Sequence, residues 1–123
     1  MALILAIDDD DLVRLLLRDI LGGAGHTVRT ASDGRRGLHL LAAKPFDLLI
    51  TDVLLPGCDG LEIIQQARRL RPEMPIIAMS GGGQWLTPGK CLGLSARLGA
   101  NRTLTKPVSP ERLLDEVHAL LGA

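Results

Sequence analysis

Five short apolar runs, near residues 2 to 7, 26 to 31, 46 to 51, 75 to 80 and 102 to 105, are each followed by a segment of helical period, and this alternation constrains the 123-residue chain more than any other feature. Strands that alternate with helices read as βα units. Right-handed crossovers then lay the strands parallel and cover both faces of the sheet with helices. The expected fold class is therefore α/β, a (βα)5 doubly wound parallel five-stranded sheet. In the first predicted helix Val13, Leu16, Leu17 and Ile20 fall at i, i+3, i+4 and i+7, and Leu113, Val117, Leu120 and Leu121 repeat the stripe near the C-terminus. Both stripes read as core faces. Gly22 to Gly25 ends the first helix, Asp59 with Glu62 three residues later caps the third, and Ser109-Pro110-Glu111 opens the last.

In doubly wound sheets ligands collect at the carboxyl ends of the strands. Asp8 and Asp9 follow the first strand, Asp52 the third, Ser80 closes the fourth and Lys106 follows the fifth, so five polar groups from four strands converge on one rim. Asp8 to Asp11 are four consecutive acids. Two unit charges about 4 Å apart repel by about 1 kcal/mol in water and about 4 kcal/mol at an effective dielectric of about 20, and a divalent cation reverses the sign. An acidic helix start competes with that reading, because Asp caps helices and suits the positive end of their dipole. A carboxylate held at the end of an apolar strand can attack phosphorus. Phosphoryl transfer also needs oxygen charge neutralised, which Mg²⁺, a lysine and a hydroxyl supply together. Asp9 and Asp52 are the expected direct ligands, with Asp8 acting through water. Lys106 precedes Pro107, a candidate cis peptide bond.

Bulk properties exclude several classes. Fourteen basic residues balance fourteen acidic ones, so no net field draws the chain to nucleic acid or an anionic membrane. Cys58 and Cys91 lack the spacing of a zinc site or redox motif, and the N-terminal apolar run is too short to insert in a bilayer. A cytoplasmic protein is expected. The length suits a single domain, residues 1–123, with no output domain.

Ile7-Asp8-Asp9, the loop Asp52-Val53-Leu54-Leu55-Pro56-Gly57-Cys58-Asp59-Gly60, Ser80 and Lys106-Pro107 together resemble the receiver domain of two-component response regulators, over the whole chain. The resemblance implies a flavodoxin-like sheet with strand order 2-1-3-4-5 and Asp52 as phosphoacceptor. It implies Mg²⁺ (or Mn²⁺) on Asp8, Asp9, Asp52 and the backbone carbonyl of Leu54, and phosphate contacts from Ser80, Gly81 and Lys106. The implied donor is a histidine kinase or histidine phosphotransfer protein, and water later hydrolyses the acyl phosphate; the chain is no enzyme beyond its own phosphorylation and dephosphorylation. Output would pass through the surface of the fourth helix, fifth strand and fifth helix to a protein effector, with the chain a monomer or weak dimer. The kinase would contact Leu12, Leu16 and Val108. Leu54 and Gly82 stand where side chains modulate phosphate lifetime, and neither offers a carboxylate or amide.

The chain also departs from the family pattern. Thr103 replaces the strand-five aromatic, and Phe46 and Trp85 are the only aromatics. The segment from Gly81 to Thr105 is about one helical turn longer than usual, and Trp85 is a candidate reporter of state. Rival readings are weaker. Asp8 and Asp10 match the D-x-D of haloacid-dehalogenase-like phosphatases, but Leu12 stands where a hydroxyl is common and little chain remains for a cap. A receiver-like docking module without chemistry would not need every polar group retained. Gly81-Gly82-Gly83 does not complete a nucleotide loop. His26, His39 and His118 are read as structural, Cys58 as loop filler, and Arg68, Arg69 and Arg71 as the solvated end of the third helix.

Overall fold

A computed structural model describes residues 1–53, 59–80 and 99–122. Leu54, Cys58, Gly81, Gly82, Trp85, Cys91 and the expected fourth helix lie outside the described residues. The elements run β1 (Leu3–Ile7), α1 (Asp11–Gly23), β2 (Thr27–Ala31), α2 (Gly34–Ala43), β3 (Leu48–Asp52), α3 (Asp59–Leu70), β4 (Ile76–Ser80), β5 (Arg102–Thr105) and α4 (Pro110–Leu121). The five strands form one sheet in the order β2-β1-β3-β4-β5, every pair parallel. This is the expected doubly wound topology.

Because successive strand residues point to opposite faces, each central strand feeds two cores. Ile4 and Ala6 of β1, Leu48 and Ile50 of β3, and Ile77 and Met79 of β4 pack with Leu17 and Leu21 of α1 and Leu113 and Val117 of α4. Their neighbours Leu5, Ile7, Leu49, Ile76 and Ala78 face Leu41 of α2 and Ile63, Ile64 and Ala67 of α3. β3 and β4 are buried along their whole length. A strand packed on both faces has no freedom of register, so the residue at its carboxyl end is held in place.

The caps fix where each helix begins. Asp10 caps α1, its side chain accepting the Leu12 N–H at 2.9 Å, and Asp33 caps α2 through the Arg36 N–H at 2.8 Å. Ser109 caps α4, accepting from the Arg112 N–H at 3.2 Å with Pro110 in the first turn. After α1 the chain reverses through Gly25, whose φ of 95° suits glycine. Two details differ from the sequence reading. Asp59 is itself helical, the first residue of α3. In α1 the buried pair is Leu17 and Leu21, while Leu16 is 50 % exposed beside Leu12 and Leu15. The stripe is rotated because α1 packs on the sheet beside α4, sharing one core with it, and a leucine face is left toward solvent.

The end of α3 also differs. Arg68 is no solvated charge: Nη1 donates to the carbonyls of Arg71, Pro72 and Met74, at 2.6 Å for Met74, and Nη2 to Gly99 O at 2.7 Å and Asn101 Oδ1 at 2.8 Å. Its guanidinium ties the α3–β4 turn to the segment that enters β5. Arg71 donates to the carbonyls of Leu41 and Lys44 at 2.9 and 3.1 Å, joining α3 to the end of α2. Arg69 alone of the three is exposed.

Candidate functional site

The buried polar residues among those described are Asp8, Thr51, Asp52 and Ser80, and three of the four stand at carboxyl ends of strands. Lys106 completes the group. Its Nζ donates to Asp8 Oδ2 at 2.6 Å and Asp52 Oδ2 at 2.9 Å, with Asp8 fully buried and the lysine side chain 19 % exposed. Lys106 reaches this point because its backbone N–H continues the β4 pairing, donating to Ser80 O at 2.8 Å, before a cis Lys106–Pro107 bond. Val53 N–H donates to Met79 O at 2.8 Å and locks the turn after Asp52 in the same way. Gly60 packs on that turn: a Cβ there would meet the Asp52 carbonyl oxygen and lie 2.5 Å from Val53 Cα.

The four consecutive acids divide their work. Asp8 sends its carboxylate inward, Oδ2 to Lys106 and Oδ1 accepting the Asp10 N–H at 2.9 Å. Asp9 is exposed and offers a ligand oxygen, Asp10 is the cap of α1, and Asp11 pairs with Arg14. The helix-start reading is realised in the second half of the run, where Asp10 caps α1, while Asp8 and Asp9 in the first half belong with Asp52 to a group that could hold a metal ion. Asp10 and Arg14 are the participants the sequence reading passed over, and an acid two residues before Leu12 was the available cue for Asp10.

Burial drives the Asp8 carboxyl above its usual range, because desolvation outweighs the hydrogen bond from Lys106. Desolvation pulls Lys106 the other way, yet the hydrogen bonds and charges of Asp8 and Asp52 prevail and hold its ammonium above its ordinary value. The site is short of positive charge. One ammonium faces three carboxylates, and one oxygen from each of Asp8, Asp9 and Asp52 lies within 4.8 Å of the others. Carboxylate oxygens converging at that spacing suit a hard divalent cation of the magnesium kind. Ser80 Oγ is buried with no hydrogen-bond partner among the described residues, a polar atom suited to an oxygen-rich group. Thr103 lies half-buried on β5 opposite Ala78.

One association joins residues the sequence reading kept apart. His26 Nε2 and His118 Nε2 are 3.3 Å apart, with ring centroids 5.5 Å apart. His26 Nδ1 accepts the Ala2 N–H at 3.1 Å, which places the neutral ring's proton on Nε2, donating to His118.

A doubly wound sheet with a carboxylate and lysine cup at the carboxyl ends of β1, β3 and β5 defines a class of α/β domain whose acidic cluster could hold a metal ion. The comparisons narrow the class: residues 4–118 match the model of the response regulator receiver domain, and the chain belongs to that family. It is 38 % identical over 118 residues to the response regulator MprA of Mycolicibacterium vanbaalenii, a match covering 96 % of this chain and 49 % of the relative. The alkaline phosphatase synthesis transcriptional regulatory protein PhoP of Bacillus subtilis is 36 % identical, with 96 % and 48 % covered. The chain thus spans about half the length of these curated relatives. A CheY-like receiver domain protein from Methanospirillum hungatei superposes with a TM-score of 0.89 at 30 % identity, covering 99 % of this chain and 94 % of that one. Among the described residues no helix is long and apolar enough to cross a membrane.

Proposed function

We propose that this chain is a phosphoacceptor receiver in which Asp52 takes a phosphoryl group from a phosphohistidine. The observation that carries the reading is the placement of Lys106 Nζ on both Asp8 and Asp52 beside a three-carboxylate cluster. A carboxylate oxygen of Asp52 attacks phosphorus in line with the P–N bond. An O–P bond forms as the P–N bond breaks, and the electron pair leaves on the imidazole nitrogen. Lys106 turns from Asp52 to a phosphoryl oxygen, and the Ser80 hydroxyl donates to another. Asp8, Asp9 and Asp52, with the Leu54 carbonyl, would hold Mg²⁺ (or Mn²⁺), which neutralises oxygen charge during transfer. Hydrolysis cleaves the acyl phosphate: water attacks phosphorus, a new O–P bond forms as the bond to the Asp52 oxygen breaks, and inorganic phosphate leaves with the carboxylate restored.

The donor is a histidine kinase or histidine phosphotransfer protein, docked in the cytoplasm on the exposed leucine face of α1. Beside that face lies an apolar groove of about 470 Å³ lined by Val13, Leu16, Ile20, Pro107 and Val108, with Lys106 at its margin. The partner's apolar surface would thus seat its phosphohistidine over the cup. We assign residues 1–123 to one receiver unit acting on a protein effector, with Gly81 also contacting the phosphate and Leu54 and Gly82 setting its lifetime. With Thr103 at the usual aromatic position, the switch acts through Ser80 and the segment following it. Incubation with radiolabelled acetyl phosphate and Mg²⁺ tests the reading. Label is expected on the wild type and absent from Asp52→Asn; label retained by Asp52→Asn and lost from Asp8→Asn would overturn it in favour of Asp8.

A further inference from the structure

We propose that Arg14 is a positioning residue for the cation cup, holding the β1–α1 turn from the helix side. Arg14 Nη1 donates to the backbone carbonyl of Asp8 at 2.7 Å, and Nη2 pairs with the Asp11 carboxylate. The Arg14 side chain is 18 % exposed, against 93 % for Asp11. The shielded end of the contact is therefore the carbonyl. Asp8 N–H donates to Ala31 O at 3.1 Å, so the backbone of Asp8 is gripped on its amide by β2 and on its carbonyl by α1.

That second grip governs Asp9. The carbonyl held by Arg14 belongs to the peptide unit joining Asp8 to Asp9, and its orientation sets the direction in which Asp9 leaves the turn. Asp8 is buried and held by Lys106 and Asp10, whereas Asp9 is exposed. The cup needs both carboxylates, so the peptide between them is where precision has to be supplied. A guanidinium suits the task because its planar fork serves two acceptors at once, which an ammonium on a flexible stem does less well.

Charge alone predicts the opposite behaviour, which makes the inference decidable. Arg14 is a cation near a cation site, and by Coulomb's law its removal strengthens divalent binding. If it positions the turn, its removal weakens binding. The inference rests on the cation reading above. Its test is Mn²⁺ titration followed by electron paramagnetic resonance on wild type, Arg14→Ala, Arg14→Lys and Asp11→Asn, with the Asp9 amide ¹⁵N shift read in the metal-free proteins. Arg14→Ala is expected to weaken Mn²⁺ binding about tenfold and to move the Asp9 amide signal, with part of the affinity recovered in Arg14→Lys. Asp11→Asn should stay within about twofold of wild type, since the contact to the Asp8 carbonyl remains. Unchanged or tighter Mn²⁺ binding by a folded Arg14→Ala overturns the inference and leaves the cation reading standing. Wild type that binds no Mn²⁺ removes the cation reading and this inference with it. Should Arg14→Ala not fold, the charge-retaining Arg14→Lys decides: affinity equal to wild type with an unmoved Asp9 signal overturns the proposal.

Discussion

Lys106 and Asp8 lie 98 positions apart in sequence, and their side chains meet at 2.6 Å against the fully buried end of β1. Opposite them Asp52 accepts from the same ammonium, so Lys106 is the counter-charge that lets two carboxylates share one enclosed point. Replacing it with Met keeps much of the stem but leaves Asp8 and Asp52 facing each other. Lys106→Met is expected to lose about 3 kcal/mol of stability in metal-free buffer, since breaking a buried pair strands its partner. Mg²⁺ should restore more of the loss than it adds to wild type; urea unfolding with and without Mg²⁺ measures both.

Gly60 gives a second prediction. A methyl group at this position would collide with the Asp52 carbonyl and crowd Val53 Cα, which are backbone atoms at the end of a fully buried strand and cannot step aside. Gly60→Ala should cost about 2 kcal/mol or more through overpacking. By moving the peptide of Asp52, it should also slow labelling by acetyl phosphate. Thermal unfolding and the labelling rate are to be read on the same preparation.

Arg68 is expected to behave as a buttress for the fold. Arg68→Ala strips partners from carbonyls of the α3–β4 turn and from Gly99, at an expected cost of about 2 to 4 kcal/mol in urea unfolding. Arg68→Lys should recover little, because one ammonium cannot span both groups of acceptors. Mn²⁺ affinity measured under folded conditions should be unchanged, since these contacts lie away from the cup.

Acid should loosen the edge where β1, β2 and α4 meet. Desolvation, then the neighbouring His118 and the N-terminal ammonium, hold the pKa of His26 below 6.5. The folded protein therefore binds this proton less well than the unfolded chain. The stability His26 contributes is present above about pH 6.5 and is lost as the pH falls through its folded pKa. Asp47 and Glu73 line the adjoining cavity, and the Asp47 carboxylate is engaged by the Leu3 N–H at 2.8 Å. Melting curves between pH 7.5 and 5.5 should slope downward for wild type and flatten for His26→Gln.

The parts of this molecule legible in the sequence were those whose signal is local. The strands announce themselves as apolar runs, Asp8, Asp52 and Lys106 each stand one step past the end of such a run and Ser80 closes one, so topology alone brings them to one rim. The contacts of Arg68 could not be read this way. An arginine in the last turn of a helix has the same local pattern whether it faces water or reaches Gly99 and Asn101, and only the packing of β4 against β5 decides. His26 and His118 were opaque for the same reason, being joined only when α4 folds back beside the first residues of β1 and β2. Leu16 shows the resolution of a helical stripe: period predicts an apolar face, but neighbouring elements choose which edge of it meets the solvent.

The Ser80 hydroxyl is buried at the end of β4 with no hydrogen-bond partner among the described residues. On the proposed phosphoacceptor reading, an anion that brings an oxygen within reach of this hydroxyl would gain a hydrogen bond at the carboxyl end of β4, and Ser80→Ala would forgo it.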